Sequence, residues 1–206
     1  MAPALKILSL FDRSGVMVKP WHDNGHEILT VDLAPAEHNM RSCQVDLDYP
    51  ENWRWFLEGW DIIFAFPPCD DLASSGARWW ASKGPPALRS ALDRARRVWL
   101  CDSKLTVIEN PIGRLRHASG FGQPTFKFHP YEFAGYTPED VSQRYQKTTC
   151  LWCRGDWREP AKKPLPPTAD GKKRIHHMSS KQRKLDGTVT PKGFAIAIYE
   201  AHKDIK

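Results

Sequence analysis

The stretch Asp61-Ile-Ile-Phe-Ala-Phe-Pro-Pro-Cys69 contains the clearest buried strand in the sequence, and two prolines end it directly before a cysteine. A short apolar run bounded by turn residues predicts a strand inside a sheet. Weaker or shorter runs predict four further strands, at 6–10, 26–31, 44–46 and 105–108. Helices are predicted between them. Strands that alternate with helices predict a doubly wound α/β fold with a parallel sheet.

The predicted helices are recognised by the residues at their ends. The first ends at Gly25, a residue suited to the left-handed position after a helix. The second covers 50–58, with a proline near its start, Asp48 as its cap and Gly59 at its end. The third covers 86–102, where apolar residues recur every three or four positions and predict an amphipathic helix.

The length of the chain limits its organisation. At 206 residues it is long enough for one domain with a full hydrophobic core, and we expect a single domain over 1–206. A further strand at 148–152 and a terminal helix at 191–202 complete the prediction. Between these, residues 154–192 are rich in proline, lysine and arginine without periodicity and are predicted to form a long excursion.

The composition excludes several classes of protein. Apolar residues at 41% and charged residues at 26% are typical of a globular domain and exclude a disordered chain. The sequence has no uninterrupted apolar run long enough for a membrane span, and the first ten residues lack the apolar region of a signal peptide, so a cytoplasmic location is expected. Five cysteines, an odd number, argue against a disulfide framework.

The positive charge is concentrated in the last third of the chain. Residues 1–120 contain 14 Lys and Arg against 15 Asp and Glu, whereas residues 121–206 contain 16 against 9, so the net charges are −1 and +7. A one-sided positive surface is expected of a protein that binds phosphates. The alternative is a solvated basic surface that only keeps the protein soluble.

Polar residues follow the predicted strands at the points where the strands end. In parallel α/β sheets, ligands bind just beyond these carboxyl ends. A single glycine follows the first strand, so the glycine-rich dinucleotide fingerprint is missing and a nicotinamide enzyme is not predicted. The residues at the five strand ends are Asp12, Asp32, Asp46, Cys69 and Glu109.

Cys69 and Glu109 stand at successive strand ends and form a candidate catalytic pair. A thiol on a rigid turn near a helix N-terminus is expected to lie in a positive local field that favours the reactive thiolate. Together with a carboxylate acid it meets the requirements of covalent and general-acid catalysis. The alternatives are that Cys69 is a small buried apolar residue and that Glu109 is an exposed turn residue.

These motifs, in this order, resemble the cytosine C5 methyltransferases, and more closely a group of short, phage-type relatives that lack a full target-recognition domain. The resemblance implies a Rossmann-like, S-adenosylmethionine-dependent methyltransferase fold. It spans residues 7–111 and, in pieces, 143–199. The motifs that carry it are Leu10-Phe-Asp-Arg-Ser-Gly15 with Asp32, Pro67-Pro-Cys69, Glu109-Asn-Pro111, Thr149-Cys-Leu-Trp152 and Thr190-Pro-Lys-Gly-Phe-Ala195.

The resemblance also implies roles for individual residues. Cys69 would add to C6 of the pyrimidine, and Glu109 would contact the ring at N3 and its amino group. Asp32 would bind the ribose hydroxyls of S-adenosylmethionine, and Asp46 would approach its adenine. The remaining cofactor contacts would be Phe11, Asp12, Gly15 and Pro67, and the substrate contacts would be Arg144, Lys147, Lys172, Lys173 and Arg174.

Several alternatives remain open from the sequence. Cys150-Leu-Trp-Cys153 has the spacing of metal ligands, and His176 and His177 are candidates to complete a zinc site, although two inert thiols on a strand explain the same spacing. The resemblance implies DNA as the substrate, with RNA or a free pyrimidine nucleotide such as dCMP as alternatives. A nucleic-acid-binding protein without catalysis is a third reading. Trp79-Trp80, beside the Cys69 loop, is a candidate for stacking on a base.

Overall fold

The computed structural model describes residues 3–171 and 189–205. Its centre is a seven-stranded sheet with the order β3-β2-β1-β4-β5-β7-β6. Strands β1 to β5 run parallel, and β7 runs antiparallel to both β5 and β6. The predicted doubly wound α/β fold is therefore confirmed. The strands are β1 (Lys6–Leu10), β2 (Glu27–Asp32), β3 (Ser42–Gln44), β4 (Ile62–Ala65), β5 (Leu105–Asn110), β6 (Phe126–Phe128) and β7 (Thr149–Gly155).

The α-helices are α1 (Lys19–Asp23), α2 (Trp80–Leu100) and α3 (Lys192–His202). Helix α2 is broken at Gly84, which has a φ of 70°, and two prolines follow the break. The part after the break corresponds to the predicted helix 86–102, because proline is tolerated in the first turn of a helix. Short 3₁₀ helices cover Pro50–Trp55, Ser74–Trp79, Arg114–His117, Pro130–Tyr136 and Val141–Gln143.

Apolar side chains cover both faces of the sheet. Along β4, Ile62 and Phe64 pack with α1 and α3 in one core cluster, whereas Ile63 and Ala65 pack with α2 in the other. Successive side chains of a strand point to opposite faces, so a strand that is buried on both sides is apolar throughout. This explains why the 62–66 run is the strongest strand signal in the sequence.

Three sequence-based predictions of local structure were wrong. The third strand lies at Ser42–Gln44, two residues before the predicted position. The predicted helix 50–58 is a 3₁₀ helix that ends at Trp55, and Asp48 does not cap it. Asp48 instead accepts hydrogen bonds from Arg94 of α2, one of them from Nη2 at 3.0 Å. The hydrogen bond from Arg94 lowers the pKa of Asp48 below its ordinary value, and no side chain caps the start of the 3₁₀ helix.

The described part of the predicted excursion, up to residue 171, is bound to the rest of the fold by its backbone. Gly135 donates an N–H to the Lys163 carbonyl at 2.8 Å, and Leu165 donates one to the Tyr131 carbonyl at 3.0 Å. These contacts hold the segment along the 3₁₀ helix at Pro130–Tyr136. Within the described residues, no helix has the length and apolarity needed to cross a membrane.

Candidate active site

The turn after β1 is organised by a buried carboxylate. Phe11 has a φ of 57°, an unusual left-handed conformation for a bulky residue, and it directs the chain into Asp12. Asp12 is 5% exposed and accepts three hydrogen bonds, from Ser9 Oγ at 2.6 Å, Ser14 Oγ at 2.9 Å and the Gly15 N–H at 2.8 Å. These bonds fix the shape of the turn.

A cavity of about 260 Å³ lies at the carboxyl ends of β1, β2 and β3. Asp32 is half-buried in its wall, and one of its carboxylate oxygens accepts the Ala34 N–H at 2.8 Å. Its second oxygen has no hydrogen-bond partner among residues 3–171 and 189–205 and is available to accept from hydroxyl groups. The wall is formed by Asp12, Thr30, Asp32, Ala34, Pro35, Ala36, Ser42, Cys43 and Gln44.

The other residues predicted to contact a cofactor lie outside the wall of this cavity. The Phe11 ring packs against Trp53, with 6.3 Å between ring centroids. Asp46 accepts the backbone N–H of Asp48 at 2.9 Å. The space next to Gly15 is filled by the His38 and Met40 side chains, which a Cβ on the glycine would meet at 2.4 Å. The cavity therefore combines Asp12 with Asp32 only.

Cys69 and Glu109 lie at one edge of the sheet. Their strands, β4 and β5, are parallel neighbours, with Ala65 paired to Ile108, so the chain that follows each strand leaves the sheet side by side. A buried amide joins the two strand ends, because Asn110 Nδ2 donates to the carbonyl of Pro67 at 3.2 Å. The turn that carries Cys69 is thereby fastened to the strand that carries Glu109.

The surroundings of Cys69 hold its thiol protonated. Burial raises the pKa of Cys69, and the negative charges of Asp70 and Glu109 raise it further, whereas the positive charge of Lys147 opposes them. The prediction that a positive local field favours the thiolate of Cys69 is therefore wrong for the protein without substrate. Burial is the largest cause of this shift, and the two carboxylates act in the same direction.

Lys147 and Arg144 have different surroundings. Lys147 is half-buried and close enough to Cys69 to act on its charge. Arg144 is also half-buried, and its Nε donates to the Pro166 carbonyl at 3.0 Å, which ties it to the 157–171 segment. The remaining predicted substrate contacts, Lys172, Lys173 and Arg174, lie outside the described residues.

Cys150 and Cys153 do not share a site. Cys150 packs in the core cluster next to α2, and Cys153 packs against the opposite cluster. Residues three apart on a strand point to opposite faces, so both thiols cannot bind one ion. The interpretation of Cys150 and Cys153 as ligands of one zinc ion is therefore wrong. The other candidate ligands, His176 and His177, lie outside the described residues. No cluster of three metal-ligating side chains occurs at 3–171 or 189–205.

Sequence reasoning missed the contact that supports the Cys69 loop. Two backbone hydrogen bonds join residues 72–74 to residues 112–114. The Ser74 N–H donates to the Ile112 carbonyl at 2.9 Å, and the Arg114 N–H donates to the Leu72 carbonyl at 2.8 Å. Gly113 permits this close approach, since a Cβ there would lie 1.8 Å from the Leu72 oxygen. A glycine shortly after the Glu109-Asn-Pro motif was the only sequence signal.

No family model and no curated protein matches the chain. Solved structures that resemble it include a methyltransferase of Entamoeba histolytica (12% identity, 81% of this chain and 58% of that chain, TM-score 0.48). Others are a DNMT2 mutant of Spodoptera frugiperda (14%, 80% and 55%, 0.45) and a SAM-dependent methyltransferase of Agrobacterium tumefaciens (19%, 53% and 39%, 0.34). The chain spans between 39% and 58% of their length. The fold class therefore rests on the sheet order and strand directions alone.

Proposed function

We propose that the protein transfers a methyl group from S-adenosylmethionine to C5 of cytosine in DNA. The observation that carries this proposal is the pairing of Cys69 with Glu109 on the ends of adjacent parallel strands, with the charges of Glu109 and Lys147 both acting on the thiol. A nucleophile and an acid at one sheet edge meet the requirements of covalent catalysis on a pyrimidine ring.

The cavity at the ends of β1 to β3 supports the choice of cofactor. The second oxygen of Asp32 is available to bind the ribose hydroxyls, and the turn shaped by Asp12 forms the neighbouring wall. The cavity lies at the same carboxyl edge of the sheet as Cys69, because β1, which ends at the cavity, is the parallel neighbour of β4, which leads to Cys69. Bound there, S-adenosylmethionine supplies an electrophilic methyl group. Asp46 is proposed to approach the adenine, and Phe11, Gly15 and Pro67 to border the cofactor.

The chain's own residues carry the remaining chemistry. The Sγ of Cys69 loses its proton to solvent and forms a bond to C6 of the cytosine. The electron pair of the C5–C6 double bond moves through C4 to N3, which takes up a proton from the Glu109 carboxyl group. Glu109 holds the ring at N3 and the amino group and stabilises the added charge. C5 then becomes the nucleophile. After methylation, loss of the C5 proton restores the double bond and expels Cys69 as the leaving group.

Binding of the ring also provides a reason for the raised pKa of Cys69. While Glu109 is an unpaired carboxylate, its charge opposes ionisation of the thiol. Once Glu109 takes up a proton from solvent and donates it in a hydrogen bond to N3 of the ring, that opposition weakens and the thiolate becomes accessible. Lys147 adds a positive charge that favours the same change. We propose Arg144, Lys147, Lys172, Lys173 and Arg174 as contacts to the base or to phosphates.

Covalent trapping tests the proposal. With S-adenosylmethionine, an oligonucleotide that contains 5-fluorocytosine is expected to form a stable adduct through Cys69, because fluorine cannot leave as a cation from C5. Duplex DNA, single-stranded DNA, RNA and 5-fluoro-dCMP are offered in parallel, and labelled-methyl transfer is measured with the unfluorinated forms. Cys69→Ala is expected to abolish the adduct. If no form is trapped and Cys69→Ala transfers label like wild type, the proposal is wrong, and a non-catalytic binding protein remains.

A further inference from the structure

An exposed tryptophan lies on the loop that leaves Cys69. Trp79 is 55% exposed, which is unusual for so large an apolar side chain. The Arg78 guanidinium lies 5.1 Å from its ring centroid. The next residue, Trp80, is covered by the Arg114 guanidinium at 3.7 Å. Within 3–171 and 189–205, neither of these arginines forms an ion pair with a carboxylate. The exposed Trp79 ring thus has one cation, Arg78, beside it, and Arg114 covers the neighbouring Trp80.

The loop places Trp79 at a fixed position relative to the candidate active site. The Leu72 and Ala73 amides both donate to the Cys69 carbonyl, at 3.0 and 2.8 Å, and backbone hydrogen bonds join the 72–74 segment to residues 112–114. Leu72 is fully buried at the base of this arrangement. Helical turns then lead directly from Ser74 to Trp79. An exposed aromatic ring on a rigid base, one short helix away from Cys69, is pre-organised to bind a flat group.

We propose that Trp79 stacks on a nucleobase next to the target cytosine and that Arg78 binds the adjoining phosphate, so the substrate is a single strand of nucleic acid and not a free nucleotide. Every base offers a face for stacking, and arginine supplies the charge that a phosphodiester requires. In a duplex the neighbouring bases already stack on each other and are less available. This inference rests on the proposed function only for the position of the target base.

Binding without turnover tests the inference separately from methyl transfer. A fluorescently labelled single-stranded 12-mer with one cytosine is titrated with the full chain in the absence of S-adenosylmethionine, and anisotropy reports the dissociation constant. Trp79→Ala is expected to weaken binding about 5-fold to 100-fold, the loss typical of one base stack, and Trp79→Phe to restore most of it. Arg78→Ala is expected to lower the salt dependence by about one phosphate contact.

The matched control is a second exposed tryptophan with its own arginine. Trp55 is 67% exposed, and the Arg54 guanidinium lies 4.6 Å from its ring centroid, but it belongs to the 3₁₀ helix at Pro50–Trp55. Trp55→Ala is expected to leave oligonucleotide binding unchanged. Single-stranded DNA and single-stranded RNA of the same sequence show which nucleic acid is preferred. A DNA duplex of that sequence is expected to bind more weakly than the single strand.

Each outcome decides the inference. Wild-type protein that binds neither single strand overturns it, as does equal weakening by Trp79→Ala and Trp55→Ala. It is also overturned if Trp79→Ala slows trapping of 5-fluoro-dCMP as much as trapping of the oligonucleotide, because a free nucleotide has no neighbouring base. Covalent trapping can fail while the Trp79 effect on strand binding persists. In that case the proposed function is wrong and the strand-binding surface stands.

Discussion

Gly113→Ala is expected to release the Cys69 loop from β5 without unfolding the sheet. A Cβ at this position would lie 1.8 Å from the Leu72 carbonyl oxygen and 2.9 Å from the Ala73 Cα. Both are backbone atoms, so no side-chain rotation relieves the clash, and the 72–74 and 112–114 segments must separate. The two backbone hydrogen bonds between them are then lost.

The magnitude follows from those two bonds. Each buried backbone hydrogen bond contributes about 1 kcal/mol net, so separation costs about 2 kcal/mol of local stability. That corresponds to about a 30-fold larger population of the open loop. Hydrogen exchange monitored by NMR is expected to show the Ser74 and Arg114 amides exchanging about 30-fold faster, because both donate across this contact. Trapping of 5-fluorocytosine is expected to slow in parallel.

The control is Gly120→Ala. Gly120 has a φ of 91°, and a Cβ there meets no atom within 4 Å, so the substitution strains the backbone by about 1 kcal/mol without a clash. It is expected to lower global stability slightly and to leave the Ser74 and Arg114 amides unchanged. Wild-type exchange of both amides in Gly113→Ala would refute the reasoning that this contact needs glycine.

Three further predictions follow from buried or exposed polar groups. Burial lowers the pKa of His202 and of His26 below 6.5. Between those lowered pKa values and 6.5 the unfolded chain binds more protons than the folded one, so the free energy of unfolding should fall as the pH is lowered from 7.5 to 5.5. A higher urea midpoint at pH 5.5 than at pH 7.5 would contradict this. Exposed Cys43 should react with iodoacetamide at pH 7.5 well before Cys69, because burial and two nearby carboxylates raise the pKa of Cys69. Mass spectrometry of the peptides measures the order, and faster modification of Cys69 would contradict the raised pKa. Asn110→Ala removes the hydrogen bond to the turn that carries Cys69 and should lower the free energy of unfolding by about 1 kcal/mol. It should also slow the trapping of 5-fluorocytosine more than this loss of stability explains. Unchanged trapping would show that the amide does not position the turn.

Much of the fold could be predicted from local patterns. The strands predicted at 6–10, 26–31, 61–66 and 105–108 are rich in apolar residues because both sheet faces are covered, and such runs are visible in a short window of the sequence. The terminal helix at 191–202 was also recovered to within one residue. Strand β6, three residues long, was missed because a short strand with a lysine in the middle has no pattern of its own.

Asp48 illustrates why some predictions failed. Its position before a proline-led helix is typical of a cap, but Arg94, 46 positions further along the chain, binds it instead. The choice between a local and a distant partner depends on which helix packs beside it, which no sequence window contains. The pairing of β5 with β7 has the same origin, because antiparallel neighbours 40 or more residues apart leave no mark on local periodicity.

The alternation of strands and helices, the polar residues at strand ends and the uneven charge can all be predicted from the sequence, because they depend on the order of residues alone. The surroundings of Cys69 depend on how the chain folds. Burial and the charges of Asp70 and Glu109 raise its pKa, against the expected positive field, because electrostatic effects depend on distances between groups that are far apart in the chain. The tertiary structure likewise separated Cys150 from Cys153, since two thiols three positions apart on a strand face opposite sides of the sheet.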